Sequence, residues 1–81
     1  MVFDQIDRAR ELASIVERVH GPDHPEMTRV RELTERIADG RGQADVFAEL
    51  RALTNDYAPP AGTCETVGAL YSALAAADPA R

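Results

Sequence analysis

Apolar residues recur at three- and four-residue steps along most of this chain, and four segments carry the helical period. Phe3, Ile6, Ala9, Leu12, Ala13, Val16 and Val19 form a first amphipathic stripe. Gly21 tolerates the backbone of a helix end and Pro22 cannot continue the helix, so the stripe closes there. Pro25 suits the first turn of a second helix, with Glu26 placed near its positive end. Met27, Val30, Leu33 and Ile37 make the second stripe, ended by Asp39-Gly40. A third runs from about Ala44 to Thr54 through Val46, Phe47, Leu50 and Leu53. Residues Asn55 to Gly62 read as a stiff loop, because Pro59-Pro60 forbids helix and biases the preceding residues toward extended backbone. Thr63 is the expected N-cap of a last helix striped by Cys64, Val67, Leu70, Tyr71 and Leu74. No segment alternates as a strand, and short connections favour antiparallel neighbours. The pattern predicts an all-α fold, a short up-down four-helix bundle. It is one domain over residues 1–77 with a frayed tail at 78–81.

Length and charge narrow the partners. An 81-residue chain makes a small core, so a tight bundle gains from a second copy of itself or from another protein. Fourteen acids oppose nine arginines with no lysine, for a net charge of −5. That balance excludes the basic footprint of nonspecific nucleic-acid binding and a polybasic membrane contact. No apolar run is long enough to span a bilayer, and Met1-Val2-Phe3-Asp4 lacks the pattern of a secretion signal. The single Cys64 forms no internal disulfide, which fits a reducing compartment. A cytoplasmic location is the expectation.

Few residues offer chemistry. Glu17 and His20 are spaced i, i+3 near the end of the first helix, the geometry by which bundle proteins present a carboxylate and an imidazole to iron or manganese. Asp23, His24 and Glu26 follow at once, so these five are the densest set of potential metal ligands in the chain. The structural reading of His20 is a cation complementing the C-terminal end of a helix, and that of His24 is a turn residue before proline. Cys64 stands at the start of the last helix, where the helix dipole lowers a thiol's pKa, which makes it a redox candidate. Its alternative is a small buried hydrophobe. Arg8, Arg10, Arg18, Arg29, Arg31 and Arg36 have acids three or four positions away and read as solvated helix faces with local ion pairs. Ser14 and Ser72 lie inside helical stripes with no base beside them in sequence, and no Gly-rich loop could cradle phosphate. No catalytic residues are expected, and the protein reads as a non-enzyme.

Two segments carry a family likeness. Val19-His20-Gly21-Pro22-Asp23-His24-Pro25-Glu26, with Val30-Arg31-Glu32-Leu33, resembles the first half of a hemerythrin-like domain, that of the iron–sulfur cluster repair di-iron proteins. Leu53-Thr54-Asn55-Asp56-Tyr57-Ala58-Pro59-Pro60, with Gly62, Cys64, Ala69-Leu70-Tyr71 and Leu74, is similar to the middle of that domain's second half. The second match is the more specific. Together they span about residues 10 to 75 of a chain much shorter than the family domain. The resemblance implies a bundle holding two irons between inward-facing histidines and carboxylates, and a role in repairing iron–sulfur centres under oxidative or nitrosative stress. It places His20 at one iron ligand. The chain then departs from the pattern. Its first helix begins Phe3-Asp4-Gln5-Ile6 without the expected histidine, the paired His-x-x-x-Glu positions are absent, and Asp39-Gly40-Arg41-Gly42 stands where another histidine belongs. The family site draws on more histidines than the two this chain has.

The expectation is an abbreviated hemerythrin-like stress protein that acts as a helical interaction module. Its expected partner is a second copy or a related protein, and no cofactor is expected. The alternative is an atypical iron site around Glu17, His20 and His24, with Asp23 or Glu26, completed across a dimer. A thiol sensor built on Cys64 is the third option.

Overall fold

The computed structural model describes residues 2–40 and 43–80, with side chains from residue 5 onward. The Phe3 side chain, Arg41-Gly42 and Arg81 lie outside the described residues. Four helices form, α1 (Val2–His20), α2 (Glu26–Ala38), α3 (Gln43–Leu53) and α4 (Glu65–Ala77), with no strand among the described residues. The stripes read from sequence become the core. Ile6, Ala9, Ala13 and Val16 are buried with Met27, Val30, Leu33, Ile37, Val46, Phe47, Leu50, Val67, Leu70, Tyr71 and Leu74. Helix α1 packs on both α2 and α4, and α3 packs on α2. Small side chains at Ala9 and Ala13, both essentially inaccessible, let α1 approach its neighbours closely. Leu12 and Leu53 are partly buried against the same core. Val19 leaves it, 58% exposed at the end of α1.

The helix ends show what periodicity could not. The Gly21 amide donates to the Glu17 carbonyl at 2.9 Å, and a Cβ at Gly21 would collide with that same carbonyl oxygen. The Asp23 and His24 amides both donate to the His20 carbonyl, at 3.1 and 2.7 Å, so the turn wraps around the residue that ends α1. Cys64, rather than Thr63, is the N-cap of α4, with extended backbone at φ −88 and ψ 174. The Thr63 hydroxyl donates back to the Pro60 carbonyl at 2.6 Å instead.

The loop after α3 bends before its prolines. Asn55, Asp56 and Tyr57 adopt φ of 52, 61 and 65, three successive left-handed residues with side chains. Each costs about 1–2 kcal/mol, so the turn needs local compensation. The Asp56 amide donates to the Arg51 carbonyl at 2.7 Å and the Ala58 amide to the Thr54 carbonyl at 3.0 Å. The Tyr57 amide donates to the Thr54 hydroxyl at 2.8 Å.

Asp78, placed by the sequence reading in a frayed tail, is 3% exposed. Its carboxylate accepts from the Arg51 guanidinium at 2.6 and 2.8 Å, from the Tyr57 hydroxyl at 2.7 Å and from the Ala80 amide at 2.9 Å. The last turn of α3 is thereby tied to the end of α4, and residues 58–63 lead from this tie to the start of α4. Burial works to raise the Asp78 pKa. The bonds from Tyr57, Ala80 and Arg51 outweigh it and hold the carboxyl below its ordinary value.

The arginines also differ from expectation. Three of the six, Arg10, Arg29 and Arg31, bridge helices. Arg31 Nε donates to Glu17 at 2.9 Å, joining α2 to α1, and Arg29 grips Glu49 of α3 with two bonds of 2.6 and 2.9 Å. Arg10 reaches Glu35 at 3.4 Å, and the i, i+3 pair Arg29–Glu32 is the local exception. Solvent screens such exposed pairs, so their value is orientation more than stability.

Two outcomes follow from this packing. Leu70→Ala empties a fully buried position and should cost about 2–5 kcal/mol in urea unfolding, a large share of a small domain's stability. Asp78, Glu17 and Glu49 all have depressed native pKa values. Their stabilisation is present above the unfolded values of 3.8 and 4.5 and is lost as pH falls through the native ones. The melting temperature should therefore fall steeply on acidification below that range, and less steeply in Asp78→Asn.

Candidate functional site

The end of α1 and the start of α4 meet, and they bring together two residues 44 positions apart. His20 Nε2 lies 3.0 Å from Cys64 Sγ. His20 is set by the last turn of α1 and by the two amides that close on its carbonyl. Cys64 is set by its N-cap position, beside the amides of the first turn of α4. The thiol is exposed.

This setting favours the thiolate. The His20 hydrogen bond is the largest influence, followed by the Thr66 side chain and the Thr66 amide, with a smaller contribution from the Val67 amide. Together they lower the Cys64 pKa from 9.0 to about 6 against a modest desolvation. Sγ closes no formal N-cap hydrogen bond, so the amides act on it as nearby dipoles. With Cys64 ionised, Nε2–H donates to the sulfur. A thiolate at neutral pH, held by an imidazole and open to solvent, is the arrangement of a reactive cysteine.

The other residues singled out from sequence are placed separately. Glu17 is turned to α2, where the Arg31 guanidinium depresses its pKa. His24 Nδ1 is 3.4 Å from Glu26 Oε2. The His24 ring stands edge-on to that of His20, 6.3 Å between centroids. Asp23 is exposed in the turn. Among the described residues, no group of three or more His, Cys, Asp or Glu side chains is placed to hold a metal ion. Tyr71 is a core residue whose hydroxyl points at Met27 Sδ, 3.5 Å away, and burial pushes its pKa up to about 12. Ser14 lines an open depression of about 410 Å³ with Asp7, Arg10, Glu11 and Glu35.

The sequence pointed to His20 and Cys64 separately, one as a metal ligand and the other as a thiol. Their pairing was missed, along with the exposure of Cys64, which periodicity placed on the core stripe. One signal was available. In a bundle where the first and last helices pack antiparallel, the end of one meets the beginning of the other.

Compared with protein families, curated proteins and solved structures, the chain matched none. No described helix is long and apolar enough to cross a membrane.

The pair can be read out directly. Alkylation of Cys64 in the native protein should show a midpoint near pH 6, against an ordinary 9.0 in the unfolded chain. His20→Ala should raise that midpoint by about one unit or more. Stability carries the same sign. The depressed thiol contributes fully above pH 9.0 and loses its contribution as pH falls toward 6.

Proposed function

We propose that this protein is an abbreviated hemerythrin-like module, related to the iron–sulfur cluster repair di-iron proteins, that answers oxidative or nitrosative stress through a thiol–imidazole pair. It is not an enzyme. It passes the signal by contact with a protein partner, first of all a second copy of itself. The observation that carries this reading is the 3.0 Å approach of His20 to Cys64. One residue comes from each segment that carries the family likeness, and the fold joins them at one end of the bundle. The four-helix all-α architecture is compatible with that likeness. A depressed, exposed thiol is chemically suited to reversible oxidation or nitrosation, because the thiolate is the form that reacts. The small core gives a motive for pairing, since a second copy adds buried area that one chain lacks.

A second reading keeps iron. The nearness of His24 to His20 favours it, with Glu26 beside His24. Two copies meeting at this end would bring four histidines and two thiols together.

Three measurements separate these ideas. Sedimentation at micromolar concentration should give the mass of two chains, and a single-chain mass rules out self-pairing. One equivalent of an S-nitrosothiol at neutral pH should modify Cys64 faster in the native protein than in the unfolded chain, and equal rates remove the thiol chemistry. For the second reading, iron below about a tenth of an equivalent per chain, unchanged by His20→Ala, would falsify the metal site.

A further inference from the structure

Resting on the thiol–imidazole reading, we infer that Tyr57 is a positioning residue for Cys64. It clasps the strap of residues 58–63 that delivers the thiol to His20. The strap leaves the tie at the end of α4 and enters α4 at its N-cap. Its first end is fixed at Tyr57 by three contacts of different kinds. The amide donates to Thr54 Oγ1 at 2.8 Å, the hydroxyl donates to Asp78 Oδ2 at 2.7 Å, and the ring is only 7% exposed. Asp78 is itself held by Arg51 and the Ala80 amide, so the anchor does not swing.

The strap is stiff between its ends. Pro59 and Pro60 have fixed φ, and the Pro60 carbonyl accepts from both the Thr63 amide, at 3.3 Å, and the Thr63 hydroxyl, at 2.6 Å. Ala58, Ala61 and Gly62 supply what torsional freedom remains, and Gly62 takes a left-handed φ of 82. Cys64 follows Thr63 directly.

Strain gives the clasp its leverage. Asn55, Asp56 and Tyr57 are left-handed residues with side chains, a conformation that persists only where the surroundings enforce it. Removing the Tyr57 hydroxyl releases one of the contacts that enforce it. The relaxation then travels along a segment too stiff to absorb it and arrives at the N-cap. A 3.0 Å contact between Nε2 and Sγ is short-ranged, and a sub-ångström displacement weakens it.

The test compares alkylation of Cys64 by a neutral reagent at pH 6 and pH 9 in the full chain. In His20→Ala the ratio of the pH 6 rate to the pH 9 rate should fall about fivefold or more, because intrinsic nucleophilicity cancels in the ratio and a one-unit rise in pKa cuts the thiolate at pH 6 from about a half to about a tenth. Tyr57→Phe, which keeps the ring and removes only the hydroxyl, should lower the same ratio about twofold, less than His20→Ala does, without lowering the pH 9 rate. Pro60→Ala alters neither Tyr57 nor His20 and loosens the strap between the clasp and Cys64. It should shift the ratio in the same direction, which keeps the test open should Tyr57→Phe fold poorly. A purely structural role would not be selective for pH 6. A wild-type ratio in both variants, with that of His20→Ala lowered, overturns the clasp and leaves the thiol–imidazole pair standing. A wild-type protein that already alkylates like an ordinary thiol overturns both.

Discussion

Close packing along one face of α1 is the constraint on which the rest of this structure depends. Ala9, Ala13 and Val16 are buried to within about a per cent, and α1 is the helix that touches both α2 and α4. Small residues permit short interaxial distances, and they also fix which helices can be neighbours, since a larger side chain at Ala9 or Ala13 would push α4 or α2 away. With α4 seated on α1, the end of one helix must lie beside the beginning of the other. The His20–Cys64 contact is a consequence of that packing rather than a separately built feature.

Electrostatics then set orientation more than stability. An arginine-only cation set suits this use, because the planar guanidinium holds a carboxylate in a defined direction where an ammonium would not. Arg29 grips Glu49 with two bonds, Arg31 fixes Glu17, and Arg51 meets a buried Asp78. Most of these partners lie on different helices, and the side chains concerned are partly exposed, so screening keeps each contribution small. Asp78 is the exception. With no buried side-chain polar atom among the described residues left without a partner, its carboxylate is fully used.

The candidate site uses the same economy. Nothing in it needs an ion or a cavity. It needs a helix start, a helix end and one sulfur. An imidazole and the amides at the start of α4 lower the thiol pKa because both favour negative charge on Sγ, and burial opposes them only weakly. The metal-ligand reading assumed that Glu17, His20, Asp23, His24 and Glu26 could turn toward a common point. The fold instead spends Glu17 on Arg31 and leaves Asp23 in solvent, because α1 has ended and the chain has turned before the later residues can share its face.

The sequence by itself determined the secondary structure and most of the core. Helical periodicity is a local property, and burial of Val16, Met27, Leu33, Leu50 and Leu70 follows directly from it. It also marked His20 and Cys64 among six residues with chemistry to offer, beside Glu17, Asp23, His24 and Glu26. Tertiary structure alone decided three things: that these two touch, that Asp78 is an anchor instead of a loose tail, and that Asn55 to Tyr57 turn left-handed ahead of the prolines. The reason is the same each time. A period reports which face of a helix is apolar, whereas contacts across 21 to 44 residues depend on which ends the packing brings together.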